Sequence, residues 1–255
     1  MVRLILTGAT GTAGAEALRQ ALSHPAVTNV TVLSRRPLPP HVEPNPPSDK
    51  LKVILHDDFA SYPSELLKQL QGHDGALWCL GKSSVGMAEK DYEVLTVDYA
   101  VAAAKAFSTL KSAADSDKFV FAYLSGAGTD QREGKAAQMF GRVKGKAEKL
   151  LAELPSQGYP SLAVYSFRPA GIIPIHPVPE APFFYRPPFL SLMKGLGALY
   201  PPAVIKTDVL GRGMLETVLK GAAGTLPGWP GKGAVGNEGV FDNEEIKKLA
   251  LGVQA

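Results

Sequence analysis

A single cysteine, Cys79, stands among 255 residues. That excludes an internal disulfide and any metal site built on several thiolates. Set in the apolar run 76–80, its thiol reads as a buried structural group rather than a reactive one. Charge of one sign is equally scarce. Twenty-seven Lys and Arg against 24 Asp and Glu leave +3, too little and too evenly spread for a nucleic-acid protein. No uninterrupted apolar run is long enough to span a bilayer. Val2–Thr7 reads as a strand rather than a signal peptide, so the expectation is a soluble, cytoplasmic protein. The histidines His24, His41, His56, His73 and His176 are too scattered to imply a metal cluster, and read as surface or loop residues.

What is present is enough apolar material for a core, 45% of the chain. It alternates between short β-rich runs and longer helical stretches, the pattern of a doubly wound, Rossmann-like parallel sheet with helices on both faces. Strands are expected at 2–7, 29–34, 51–55, 75–80, 118–125 and 161–167, and helices at 12–23, 64–71, 88–111 and 135–154. Thr207-Asp208 is placed to cap a helix reaching about Lys220, and Asp242-Asn243 one that begins at Glu244-Glu245. Six prolines between Pro37 and Pro47 require a loop. A second proline-dense stretch, 169–202, carries Phe183, Phe184, Tyr185, Phe189 and Leu190, and its prolines argue against a long helix. With no internal repeat, the chain reads as one domain, 1–255, whose small substrate-side portion covers about 170–255.

The first strand ends in Thr7-Gly8-Ala9-Thr10-Gly11-Thr12-Ala13-Gly14. Gly8 permits a tight exit from the strand, Gly11 leaves room for phosphates, and Gly14 lets the helix pack close to the sheet. The amides opening the helix, at Thr12, Ala13 and Gly14, then face an anion, with Thr10 beside them. The triplet sits between a strand and a helix, the context that makes it a dinucleotide site. The end of the second strand reads the adenosine ribose. There the sequence offers Ser34-Arg35-Arg36 and no carboxylate, which favours the 2′-phosphate of NADP(H) over NAD(H). Asp58, after the third strand, is a candidate for the adenine amino group, with a plain turn or cap as the other reading. Leu80-Gly81, after the fourth, lie where backbone passes the cofactor ribose.

Together with Ser125 after strand five, Lys144 in the next helix and Arg168-Pro169 after strand six, this turn resembles the atypical and extended short-chain dehydrogenase/reductase superfamily. The runs Cys79-Leu80-Gly81-Lys82-Ser83-Ser84, Leu124-Ser125-Gly126-Ala127-Gly128 and Arg142-Val143-Lys144-Gly145-Lys146 resemble a group named as epimerases and related to the Tat-interacting-protein oxidoreductases. The resemblance implies a cofactor contact for Arg168 and Pro169, and a catalytic or cofactor-binding role for Ser125 and Lys144. Reductases of the superfamily pair a tyrosine with the lysine one helical turn away; the lysine holds the nicotinamide ribose and lowers the tyrosine pKa. Four residues before Lys144 stands Phe140, which has no proton to give.

Three explanations compete: a reductase whose proton comes from Ser125, Tyr92, Tyr185 or water; a protein that binds NADP(H) without turnover; or a shifted alignment. No tyrosine lies between Tyr123 and Tyr159 to support the last. Tyr92 itself reads better as helix packing. The aromatics of 169–202 are open to three readings, ranked as an apolar substrate pocket or lid, a completed core, and a patch at Phe183 to Leu190 for oligomerisation or membrane contact. The leading expectation is an NADP(H)-dependent oxidoreductase acting on a small carbonyl, enone or sugar-like substrate. The alternative is a catalytically silent NADP(H)-binding regulatory or interaction module. The partners expected are a small-molecule substrate or none, no nucleic acid, and no transmembrane segment, with a homo-oligomer left open.

Overall fold

The computed structural model describes residues 1–110, 118–132, 136, 138–176, 185–226 and 239–252. Among these residues nine strands form two sheets: β1 Val2–Thr7, β2 Val27–Ser34, β3 Leu51–Leu55, β4 Gly75–Trp78, β5 Phe119–Leu124, β6 Leu162–Phe167, β7 Gly171–Ile173, β8 Val204–Lys206 and β9 Val240–Phe241. The main sheet runs β3-β2-β1-β4-β5-β6-β9 and every pairing is parallel; β7 and β8 pair separately. Strand order reverses between β1 and β4, so their carboxyl ends flank the crevice in which such sheets bind ligands. Buried on both faces, β4 and β5 read as near-continuous apolar runs because no polar face is needed.

The helices are α1 Thr12–Ser23, α2 Ser64–Gln69, α3 Glu89–Glu93, α4 Tyr99–Phe107, α5 Met139–Glu153, α6 Phe189–Leu199, α7 Thr207–Ala222 and α8 Asn243–Ala250. One face of the sheet is covered by α1, α7 and α8 over Leu4, Leu6, Val30, Leu77 and Phe167; the other by α3, α4 and α5 over an aromatic core of Trp78, Phe107, Phe119 and Phe121. Trp78 stacks on Phe121 at 5.6 Å, and Phe59 meets Trp78 edge-on at 6.1 Å.

Several expectations need correction. The helix at 88–111 is divided: α3 passes into a π-helical turn, Val94–Asp98, before α4. One residue too many per turn there rotates the following side chains. Lys111 lies outside the described residues, as do Lys135 and Ala137, and α5 begins at Met139. Despite the prolines of 169–202, α6 runs for 11 residues, because the stretch from Phe189 to Leu199 holds none; Pro188 stands at its N-cap and Pro201 just beyond its end. Of the aromatics expected there, Phe183 and Phe184 lie outside the described residues. Thr207 does not cap α7. Its hydroxyl accepts from the Ile175 amide at 3.2 Å, and Asp208 Oδ1 is buried without a partner among the described residues. At α8 the cap is present in full. Asp242 accepts from the Glu244 and Glu245 amides while Glu245 returns a bond to Asp242 N.

Candidate functional site

The glycine turn closes until two of its positions exclude any side chain. Gly8 sits at φ +71°, and a Cβ there would overlap the Cys79 carbonyl; one on Gly14 would overlap the Gly8 carbonyl. Gly11 is different. Its nearest neighbour for a Cβ is Gly8 O at 3.4 Å, an ordinary contact, with open space beyond. Packing therefore demands glycine at 8 and 14, and the open crevice is what residue 11 faces. Thr7 Oγ1 accepts from Leu80 N at 3.3 Å, tying the ends of β1 and β4. No side chain caps α1. Ala15 N bonds Gly11 O at 2.8 Å, so the first-turn amides of Thr12, Ala13 and Gly14 are left to an anion.

A crevice of about 390 Å³ opens beside this turn, walled by Gly8, Thr10 and Gly11, by Leu33 to Arg36, and by Cys79 to Gly81. Phe59 also lines it, and among the described residues no carboxylate does. Arg35 and Arg36 are exposed, and neither guanidinium has a hydrogen bond or ion pair among the described residues. Asp58 is not brought in: it is exposed, its Oδ1 accepts from Ala60 N at 3.1 Å, and it closes a turn. Thr12 lines a smaller pocket next door that shares Thr10 and Gly11.

Across the sheet, α5 presses onto the loop after β5. A Cβ on Gly141 would lie 2.5 Å from Gly128 O, and one on Gly145 would overlap the Asp130 carbonyl. This approach sets Lys144 Nζ 2.8 Å from Ser125 O and 3.3 Å from Leu124 O, to both of which it donates. Burial pulls the Lys144 ammonium down to about 8, against the opposing pull of Glu148 and Cys79. Ser125 is buried, with its hydroxyl 3.2 Å from that of Thr129. Phe140 packs against Gly128. Cys79, half-buried beside Lys144, has its thiol pushed up to about 12 by desolvation, which favours the protonated form.

Arg168 is held by the wholly buried Glu148, its Nε lying 3.0 Å from Oε1, and Gln131 donates to the same carboxylate at 3.0 Å. Ala127 N bonds Pro169 O at 2.8 Å. Both residues thus brace the loop that carries Ser125. The tyrosines separate in the same way. Tyr92 is buried in the α3 core, and Tyr123 is buried with its hydroxyl donating to Thr96 O at 3.5 Å. Tyr185 is hydrogen-bonded to the Thr12 side chain, at the mouth of the glycine turn, and burial raises its pKa.

Two features escaped the sequence reading. Glu16, on the core-facing side of α1, is 2% exposed and accepts from Arg19 and Gln20; His176 Nδ1 lies 2.9 Å from it. The carboxylate thus fastens residue 176 to α1 beside the glycine turn; a charged residue among α1's apolar positions was the available signal. His73 is no surface histidine: it is 1% exposed, bonded to Leu70 O at 2.8 Å and Thr31 Oγ1 at 2.9 Å, and desolvation lowers its pKa to about 4. Among the described residues no group of three or more His, Cys, Asp or Glu is placed to hold a metal, and no helix is long and apolar enough to cross a membrane.

Sheet order, glycine turn and crevice define a Rossmann-like α/β fold. Leucinostatins biosynthesis cluster protein T of Purpureocillium lilacinum is 35% identical over 153 residues, 60% of this chain and 52% of that protein. Protein fmp52, mitochondrial, of Emericella nidulans is 30% identical over 151 residues, 58% of this chain and 60% of that one. The chain's match thus spans between half and three-fifths of these curated relatives. The dTDP-glucose 4,6-dehydratase DesIV of Streptomyces venezuelae, a double mutant with NAD and DAU bound, superposes with a TM-score of 0.62 at 17% identity, covering 99% of this chain and 82% of that one. Other solved structures of this fold are a reductase domain, a vestitone reductase and UDP-sugar epimerases. No protein-family model matches the chain.

Proposed function

We propose that this protein is a cytoplasmic, NADP(H)-binding oxidoreductase of the atypical short-chain dehydrogenase type, acting on a small carbonyl, enone or sugar-like substrate. One observation carries the cofactor reading: the crevice beside the glycine turn is lined by Ser34, Arg35 and Arg36 and, among the described residues, by no carboxylate. A 2′-phosphate would meet two uncommitted guanidiniums there, whereas a 2′-hydroxyl has no acidic acceptor. The residues present fit the cofactor: Gly11 leaves open space at the first-turn amides, which would hold the pyrophosphate. Bound NADP(H) supplies hydride chemistry. The chain's own part is to place a cation, Lys144, beside Ser125, with a proton available near neutral pH. Residues from about 170 onward form the substrate side of a single domain.

A second reading, a catalytically silent NADP(H)-binding module, is favoured by Phe140, which packs against Gly128 where the superfamily's proton donor would stand. Titration calorimetry tests the cofactor claim. Arg35→Ala/Arg36→Ala should weaken NADPH on the order of 100-fold and NADH little; equal losses, or tighter NADH in the unaltered protein, refute it. A carbonyl panel followed by NADPH absorbance separates the two readings, and Phe140→Tyr should raise any reduction seen.

A further inference from the structure

Alone among the α-helices of the described residues, α6 buries none of its side chains. Its sequence, FLSLMKGLGAL, is nonetheless apolar on both sides. The inner side is accounted for: Met193 reaches Gly171, and Gly197 lets Val204 approach. The outer side is a stripe at helical spacing, Leu192, Leu196 and Leu199, which are 69%, 48% and 88% exposed. Tyr200, the next residue in the chain, is exposed as well, and exposed Leu251 lines the groove beside the helix. A helix apolar all round is stable only where something other than water covers it. At 11 residues α6 is too short to cross a bilayer.

Beside α6, between β7, β8 and α8, runs a groove of about 810 Å³. Its walls include Ile173, Ile175, Val204 and Val209, and three lysines, Lys194, Lys206 and Lys247; among the described residues no carboxylate lines it. Lys247 is engaged by Glu244 and Pro201 O, so Lys194 and Lys206 carry most of the free charge. The charge decides what the face fits. Two copies related by a two-fold axis would lay these lysines against one another, a repulsion that no acid among the described residues of the groove relieves. Leucines projecting beside free ammonium groups match a surface that is apolar inside and anionic outside.

We propose that α6 and its groove seat the protein on an anionic membrane surface, with Leu192, Leu196 and Leu199 entering the boundary between headgroups and acyl chains and Lys194 and Lys206 meeting lipid phosphates. The proposal is independent of which cofactor the glycine turn holds.

Vesicle flotation tests it. The whole protein should float with phosphatidylcholine vesicles containing phosphatidylserine, less with phosphatidylcholine alone, and less again at high salt. Leu196→Glu/Leu199→Glu should reduce binding about tenfold or more, and Lys194→Glu/Lys206→Glu should abolish the preference for phosphatidylserine by a similar factor. Circular dichroism should show both variants folded. If the leucine pair lowers the melting temperature, Leu199→Ser alone gives the same comparison at the most exposed of the three positions. Absence of vesicle binding, or binding unchanged in the leucine variants, overturns the proposal. So does a concentration-dependent dimer in sedimentation that the leucine variants dissolve, because the occupant would then be a second copy.

Discussion

At the carboxyl end of β1 the chain packs so closely that Gly8 and Gly14 admit no side-chain carbon, while eleven residues of α6 bury none of their side chains. The first region is closed by backbone contacts within the turn and to Cys79; the second is apolar, half covered, and rimmed with lysine. The contrast separates the two kinds of binding surface proposed above. A phosphate site is made of main-chain amides and must be rigid before its ligand arrives. A face that meets a fluid, apolar environment needs only composition and exposure.

The largest expected effect lies in the glycine turn. Gly14→Ala forces its Cβ into the Gly8 carbonyl and should cost about 3 kcal/mol in urea unfolding, through overpacking of a backbone that cannot retreat. A loss near zero would mean the turn is softer than described, and the contrast with α6 would fail. Next comes pH. His73, beneath the same half of the sheet, titrates near 4 when folded and at about 6.5 when unfolded. Between those values the unfolded chain binds more proton, so stability falls as pH falls. The loss is absent above about 6.5, complete below about 4, and worth up to about 3 kcal/mol. His73→Gln should flatten that window. A variant with an unchanged acid slope would assign it elsewhere. The smallest effect belongs to α6: Leu199→Ser, at 88% exposure, should change stability by no more than about 0.5 kcal/mol. A larger loss would show that its outer face is already covered.

Much of this was legible from the chain. The bounds of β1, α1 and β3 follow from apolar periodicity and the glycines that punctuate them, and the α8 capping box follows from Asp242 and Glu245. The division of 88–111 was not, because a π-helical turn keeps the composition of a helix while altering its hydrogen bonds. Lys144 was singled out only by its resemblance to a reductase lysine. The spacing Gly141-x-x-x-Gly145, which lets the Gly128 and Asp130 carbonyls approach and so seats Lys144 on Ser125, carried the information but was not read. Asp58 could be read from residue type and strand end alone, whereas its turn bond from Ala60 N and its place outside the crevice lining could not.

By itself the sequence determined the parallel sheet, the glycine turn, the arginines at the end of β2 and the phenylalanine before Lys144, since each rests on local periodicity, conformational freedom or residue chemistry. Tertiary structure alone decided that Arg168 is spent on buried Glu148, that Tyr92 and Tyr123 are sealed in the core, that Glu16 meets His176, and that the leucines of α6 face outward. Those outcomes depend on which groups distant in the chain come to share a desolvated space, and no local pattern encodes that.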